Sequence, residues 1–259
     1  MTALRANRRG GPEQLVIERA PVPVAGADEA LVAVHAAAIT FDELTWEETW
    51  TRDGVSRTPV IPSHEVSGVV SAVADGVTDF VPGDEVYGLI DFDRDGAAAD
   101  FVAVPAADLA AKPSTVSHVV AAALPLAGLT AWQALVDHCA VQPGESVLVH
   151  GGAGGVGLLT VQLAALRGAR VTATVRSDTA NLLRGCGAQR VIDTRTEAFD
   201  ETGAAYDVVV DTVGGQTLER SYAVLRRGGR RSKAASTAAA PARRSSSCAT
   251  EGRARTPGS

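Results

Sequence analysis

"LVHGGAGGVGLLTVQLAALRG", residues Leu148 to Gly168, decides the fold. Glycines crowd its first half, between a short apolar run and an amphipathic one. Ser146 to Val149 reads as a buried strand. From Val156 the apolar residues Leu159, Val161, Leu163 and Leu166 follow helical rather than alternating spacing. Between strand and helix, Gly152, Gly154 and Gly157 form G-x-G-x-x-G. Each position calls for a missing Cβ: Gly152 for the tight turn, Gly154 for close approach of backbone to a pyrophosphate, Gly157 for close packing of helix on strand. The helix N-terminus then offers unpaired N–H groups and a partial positive charge. A strand before the glycines and a helix after them is the context that makes this pattern a dinucleotide-binding signature. It spans Gly152, Ala153, Gly154, Gly155, Val156 and Gly157.

The downstream sequence repeats the alternation. Strands are expected at Arg170–Val175, Arg190–Asp193 and Tyr206–Asp211, with helices near Thr179–Gly185 and Gln216–Arg226. Strands alternating with helices imply a parallel, doubly wound α/β sheet. The continuous run Val208-Val209-Val210 suits a strand covered on both faces.

The chain has 259 residues, enough for two ordinary domains, and its 46% hydrophobic content supports a core in each. A net charge of −6 indicates no global attraction to nucleic acid or anionic membrane. No apolar run is long enough to span a bilayer, and "MTALRANRRGG" lacks the apolar stretch of a signal peptide. Cys139, Cys186 and Cys248 are far apart, without zinc-motif or disulfide spacing, which fits a reducing cytoplasm. Before about residue 115 the pattern changes to short strands separated by Gly/Pro turns, as in "EALVAVHAAAI", "SGVVSAVADGV" and "GDEVYGL". This predicts a small β-barrel. A helical stretch interrupted by Pro125 links it to the nucleotide half.

In order along the chain stand "PVIPSHEVSGVVSAVADGV", "VPGDEVYGL", "AALPLAGLTAWQAL", "GESVLVHGGAGGVGLLTVQLA" and "DVVVDTVGG". This order resembles the medium-chain dehydrogenase/reductase superfamily, and within it the zinc-free quinone oxidoreductase and enoyl-reductase branch. The resemblance implies a GroES-like catalytic domain over residues 1–115 and a Rossmann domain over 116–230, with an active-site cleft between them. It also implies hydride transfer to a quinone, enone or other activated double bond, a small electrophilic substrate, and a homodimer as is typical of the family. An alternative is a cofactor-binding protein with little or no activity.

Zinc-using members surround the metal with a cysteine, a His-Glu pair and a second cysteine. Here His64-Glu65 remains, but Ile39 and Leu126 stand where the cysteines would be. Two ligands fall short of the three that a catalytic zinc needs, so no metal is expected and the pair is read as structural, near the barrel surface or cleft. His35 and His118 read as packing or surface residues, and His138 beside Cys139 has no acid placed to complete a nucleophilic triad. His150 closes the first nucleotide-domain strand, either touching the cofactor or capping the strand.

NAD-specific folds place an acidic residue about 20 positions past the glycines, on the ribose hydroxyls. Here that region is Arg176 and Ser177, and a guanidinium suits a 2′-phosphate, so NADP(H) is the expected cofactor. Asp178 competes, one small register shift away. By the resemblance Thr130 contacts the nicotinamide, and Phe41 and Asp42 line the substrate pocket. Val213 and Gly214 lie at the carboxyl edge of the sheet, where ligands bind. Trp46 and Trp50 form a lid, a pocket wall or a helix packed on the barrel.

From Arg231 the sequence holds no Val, Ile, Leu, Phe, Tyr or Trp, and its six basic residues face one acid, Glu251. Such a segment cannot offset its ordering entropy, so a disordered basic tail is expected over 231–259. No aromatic residue or motif marks it for nucleic acid. A shifted reading frame would account for its composition. The corresponding expectation is an incomplete Rossmann sheet: strands five and six missing, and Val208–Val210 left as an exposed edge that recruits other chains.

Overall fold

The structure, a computed structural model, describes residues 1–234 except Phe41, Ser177, Thr202 and Ala204. A hairpin of β1 (Thr2–Ala6) and β2 (Leu15–Arg19) leads into β3 (Glu29–Ala38). After the short helix α1 (Glu47–Trp50) and the two-residue strands β4 (Thr51–Arg52) and β5 (Val55–Ser56) come β6 (Glu65–Val73), β7 (Glu85–Leu89), β8 (Phe101–Pro105) and β9 (Leu109–Ala111). The sheet order is β8-β3-β6-β7-β9, antiparallel throughout. Alternation places Ala30 and Val32 of β3, Val66 and Val70 of β6, and Val102 and Val104 of β8 in one core. Trp46 and Trp50 turn out to pack their own segment. Trp50 is buried with Ala6, Leu44 and Val60, and its Nε1–H donates to the Leu44 carbonyl at 2.8 Å. Trp46 sets its ring edge against Phe92, centroids 5.2 Å apart.

Helices α2 (His118–Ala122) and α3 (Pro125–Trp132) follow. Pro125 opens α3, at a position where its absent N–H would have had no partner anyway. The chain divides into two compact units, one from Met1 to Leu126 and the other from Ala127 onward.

The second unit is the doubly wound one. Its strands β10 (Ser146–His150), β11 (Arg170–Val175), β12 (Ala188–Asp193), β13 (Tyr206–Asp211) and β14 (Leu225–Lys233) alternate with α4 (Gly155–Leu166), α5 (Ala180–Gly185) and α6 (Gln216–Arg220). All strands are parallel, in the order β12-β11-β10-β13-β14. The period of two sends Val147, Val149, Val208 and Val210 to the α4 face, where Val161 and Ala164 cover them. Leu148 and Val209 go to the other face, with Ile192, Phe199, Tyr206 and Val224. That division explains the unbroken apolar runs.

One expectation is corrected here. A fifth strand is present: β14 pairs parallel with β13, Val209 opposite Arg231 and Asp211 opposite Lys233, so Val208–Val210 is not an edge. The expected helix over Gln216–Arg226 instead gives way to a 3-10 turn at Ser221–Val224 and then to this strand. Parallel pairing draws on backbone groups, which every sequence carries, and an outer strand needs no apolar run of its own. The arginines are accommodated individually: Arg226 pairs with Asp207 at 2.8 Å and Arg230 with Glu145. A basic outer strand is also a poor template for further pairing. The expected disorder from Arg231 is corrected at its start, since Arg231, Ser232 and Lys233 are the last residues of β14; the rest of the basic tail and any sixth strand fall in residues 235–259, outside the described residues.

Candidate functional site

The glycine turn is built as its residue types demand, with one change of role. Gly151, not Gly152, takes the left-handed conformation, at φ 68°. Gly152 is excluded from a larger side chain by packing, since a Cβ would sit 2.9 Å from Ala173 Cβ. A Cβ on Gly157 would run into the Gly151 carbonyl oxygen, so α4 passes closer to the turn than any side chain allows. Gly154 caps α4 with no side-chain hydrogen bond, and nothing in the protein crowds it more closely than 3.4 Å. The open side of the turn is therefore free for a ligand, and the α4 amides face it.

A cavity of about 540 Å³ opens at the carboxyl ends of these strands. Ala153, Gly154, Arg176 and Val213 line it, four of the residues singled out from the sequence. Gly152, Gly155, Val156 and Gly157 stand in the same turn or the first turn of α4, behind that lining. The Val213 and Gly214 N–H groups both donate to Asp211 Oδ1, at 2.8 and 3.0 Å, which fixes the loop after β13. Thr130 lies in α3 and is not part of the lining. Asp42 is in the first unit, where its carbonyl accepts from Thr45 Oγ1 at 2.6 Å. Phe41 and Ser177 lie outside the described residues.

Arg176 makes no hydrogen bond or ion pair with any described residue. Its competitor is engaged: Asp178 pairs with Arg195 at 2.7 Å, and Arg195 also forks onto Asp193. Sequence reasoning missed Thr174, Arg195, Phe199, Thr217 and Arg220, which also line it. Arg195, two residues past the end of β12, carried a readable signal in its charge; the others reach the cavity only through the fold. Arg220 lies 5.0 Å over the Phe199 ring and pairs with Asp200.

The first unit holds a cavity of about 620 Å³ whose charges answer one another: Arg52 with Asp93, Arg57 with Asp95, Arg94 with Glu29. More informative is a buried polar group beside it in sequence. Glu43 is 2% exposed, and its two oxygens accept from Ser63 N at 2.5 Å and Thr40 N at 3.0 Å. Burial, with help from Glu65, pushes its carboxyl up to about 7. An acid whose folded pKa exceeds its unfolded value of ~4.3 keeps a proton in the native state that the unfolded chain has lost. Its contribution to stability therefore falls as pH rises between those values. Glu43→Gln is expected to flatten the pH dependence of denaturant-measured stability by about 1 kcal/mol per unit between pH 5 and 7. Parallel curves for the variant and the wild type would contradict the assignment.

His64 and Glu65 are interior residues, 2% and 7% exposed, rather than surface ones. Glu65 Oε1 accepts from Leu126 N at 2.9 Å, and His64 packs against Phe92 with ring centroids 5.0 Å apart. Burial pushes the His64 pKa down to about 4. A chain Ser67–His118–Glu85 has the outline of a nucleophilic triad, but Ser67 is fully buried and its hydroxyl donates to the Val86 carbonyl. It holds β6 to α2.

An antiparallel GroES-type sheet followed by a parallel dinucleotide-fold sheet defines an alcohol-dehydrogenase-like architecture. The family model for the alcohol dehydrogenase GroES-like domain matches residues 26–114, and that for zinc-binding dehydrogenases matches 155–243. The mouse quinone oxidoreductase is 32% identical over 89% of this chain and 72% of its own length. The tomato 2-methylene-furan-3-one reductase is 36% identical over 80% of this chain. A solved alcohol dehydrogenase superfamily protein from Novosphingobium aromaticivorans matches with a TM-score of 0.82 and 33% identity, over 91% of this chain and 72% of that one. The chain belongs to the medium-chain dehydrogenase/reductase superfamily, whose members are oxidoreductases that bind nicotinamide cofactors. It spans 55% of the length of the tomato relative.

The zinc of some members does not fit the residues present. Ile39 and Leu126 offer no ligand atom where thiolates would stand, and the Glu65 carboxylate is committed to a backbone amide. Among the described residues no group of three His, Cys, Asp or Glu side chains is placed to hold a metal ion. Nor, among them, is any helix long and apolar enough to cross a membrane.

Proposed function

We propose that this chain binds NADP(H) and reduces a quinone, an enone or a similarly activated double bond. The observation that carries this reading is the cavity in which the glycine turn meets Arg176, which has no partner among the described residues. The turn and the N-terminus of α4 suit the pyrophosphate, and Arg176 suits the 2′-phosphate in charge and donor geometry. Val213, on a loop held by Asp211, walls the cavity at the end of β13.

NADPH, when bound, supplies the hydride. The protein orients the two reactants and meets the negative charge that develops on the substrate oxygen. With no ligand set for a metal among the described residues, that charge falls to N–H groups, hydroxyls and water. Quinones and enones suit such a site because their anions are delocalised. The names of the mouse and tomato relatives, a quinone oxidoreductase and a methylene-furanone reductase, point to the same substrates.

The test is NADPH oxidation by the purified chain with a small quinone, an α,β-unsaturated ketone and a saturated aldehyde. Saturable turnover is expected with the first two and none with the third. Turnover of the aldehyde alone would contradict the proposal, and saturable NADPH binding without turnover of any electrophile would favour a binding protein.

A further inference from the structure

His150 ends β10 directly before the glycine turn and is fully buried. Its ring nitrogens meet two hydroxyls. Nδ1 lies 3.2 Å from Thr174 Oγ1 on β11, and Nε2 lies 3.1 Å from Ser221 Oγ, 71 residues away in sequence. The directions of these bonds follow from their neighbours. Ser221 Oγ lies 2.7 Å from the Thr217 carbonyl, which only accepts, so the serine proton is committed there. Ser221 must then accept from His150, which puts a proton on Nε2. On the other side, Thr174 Oγ1 already accepts from the Gly151 N–H at 3.2 Å. Its own proton is left to donate to Nδ1. A second ring proton on Nδ1 would give Thr174 Oγ1 two incoming N–H groups and strand its hydroxyl proton.

We infer that His150 is a positioning residue of the nucleotide site. As the neutral Nε2–H tautomer it completes a one-way relay from Gly151 N–H through Thr174, His150 and Ser221 to the Thr217 carbonyl. This proposal rests on the nucleotide-binding reading given above. The relay ties the glycine turn to the Gln216–Val224 segment, and its members His150, Gly151, Thr174 and Thr217 themselves line the cavity. The main chain is fastened beside it: Thr212 Oγ1 donates to the His150 carbonyl at 2.7 Å, and Gly152 N donates to the Thr174 carbonyl at 2.9 Å. Phe199 closes the ring off, its centroid 4.4 Å away edge-on.

The charges facing His150 are Asp211 on β13, Asp200 in the loop before it, and Arg220 at the end of α6. The two carboxylates favour a cationic ring, and Arg220 opposes it. Burial outweighs all three and pushes the His150 pKa down to about 4.

The test uses the whole chain labelled with 15N, without NADPH. Spectra of the His150 ring, assigned by its loss in His150→Gln, are expected to show a single Nε2–H tautomer that does not titrate between pH 5 and 8. A protonated Nδ1, a tautomer mixture or titration near pH 6.5 would overturn the relay. Ser221→Ala removes one acceptor and leaves the fold's backbone bonds in place. It is expected to release His150 into a tautomer mixture and to speed amide exchange at Gly151 and Gly152 about tenfold, since the turn then opens more cheaply. Unchanged exchange in a variant with a mixed tautomer would overturn the positioning role. These readouts need no cofactor. A wild-type chain that shows the relay but fails to bind NADPH would therefore sink the proposed function, not the relay.

Discussion

Replacing Arg176 by alanine is expected to weaken NADPH binding about 10- to 100-fold while leaving NADH binding essentially unchanged. The two cofactors differ only in the 2′-phosphate, and a charge-assisted hydrogen bond is worth roughly 1.5–3 kcal/mol. Arg176 follows β11, lines the cavity proposed to hold the nucleotide and makes no ion pair with another described residue, so none of those residues occupies its donors. The acid two positions on does not take the opposite part. Asp178 is 95% exposed at its side chain and held by Arg195, which also grips Asp193. Such an exposed network is screened and adds little stability. Its consequence is spatial: it draws the carboxylate to Arg195. Fluorescence titration of both cofactors against wild type and Arg176→Ala measures the difference. Equal losses for NADPH and NADH would show that Arg176 does not read the 2′-phosphate.

Gly157→Ala is expected to abolish NADPH binding and to cost on the order of 3 kcal/mol of stability in the nucleotide unit. The added methyl would meet the Gly151 carbonyl and the Gly152 backbone, neither of which swings aside like a side chain. Relief requires α4 to move off the turn, which carries the α4 N-terminus away from the phosphate position. Gly155→Ala is the control. It lies two residues earlier on the same helix, and a Cβ there meets nothing within 4 Å. Its stability should match or slightly exceed wild type, because alanine is the better helix former and Gly155, the first residue of α4, draws only part of the roughly 1 kcal/mol interior difference. Thermal unfolding and NADPH titration of the pair separate crowding from simple loss of glycine. Two variants that behave alike would refute the close-packing account.

The elements that sequence reading located are those whose instructions are local. Strand β11, strand β13 and the glycine turn each carry a periodicity and flanking turns within about a dozen residues, and the structure places them as read. The strand β14 escaped because its pattern is basic and glycine-rich; what makes it a strand is the free edge of β13 together with Asp207 and Glu145, which receive its arginines. The first glycine's role also shifted by one residue. The glycine spacing reveals that some position bends sharply, but φ at Gly151 is set by how Thr174 and Thr212 fasten the turn. Within the candidate site, Arg176 and Val213 were legible because they follow strands. Thr217, Arg220 and Ser221 were not, since their approach to His150 and Phe199 depends on α6 folding back over the sheet.

The proposed reaction is delivery of a hydride from NADPH to an activated double bond. The most direct measurement is a single turnover with NADPH deuterated at the transferable position of the nicotinamide, followed by mass spectrometry of the reduced quinone or enone product. The enone product is expected to be heavier by one deuterium at the β-carbon and to form from NADPH far faster than from NADH. Reduction that leaves deuterium on the cofactor, or saturated NADPH binding with no product from any activated acceptor, would contradict it.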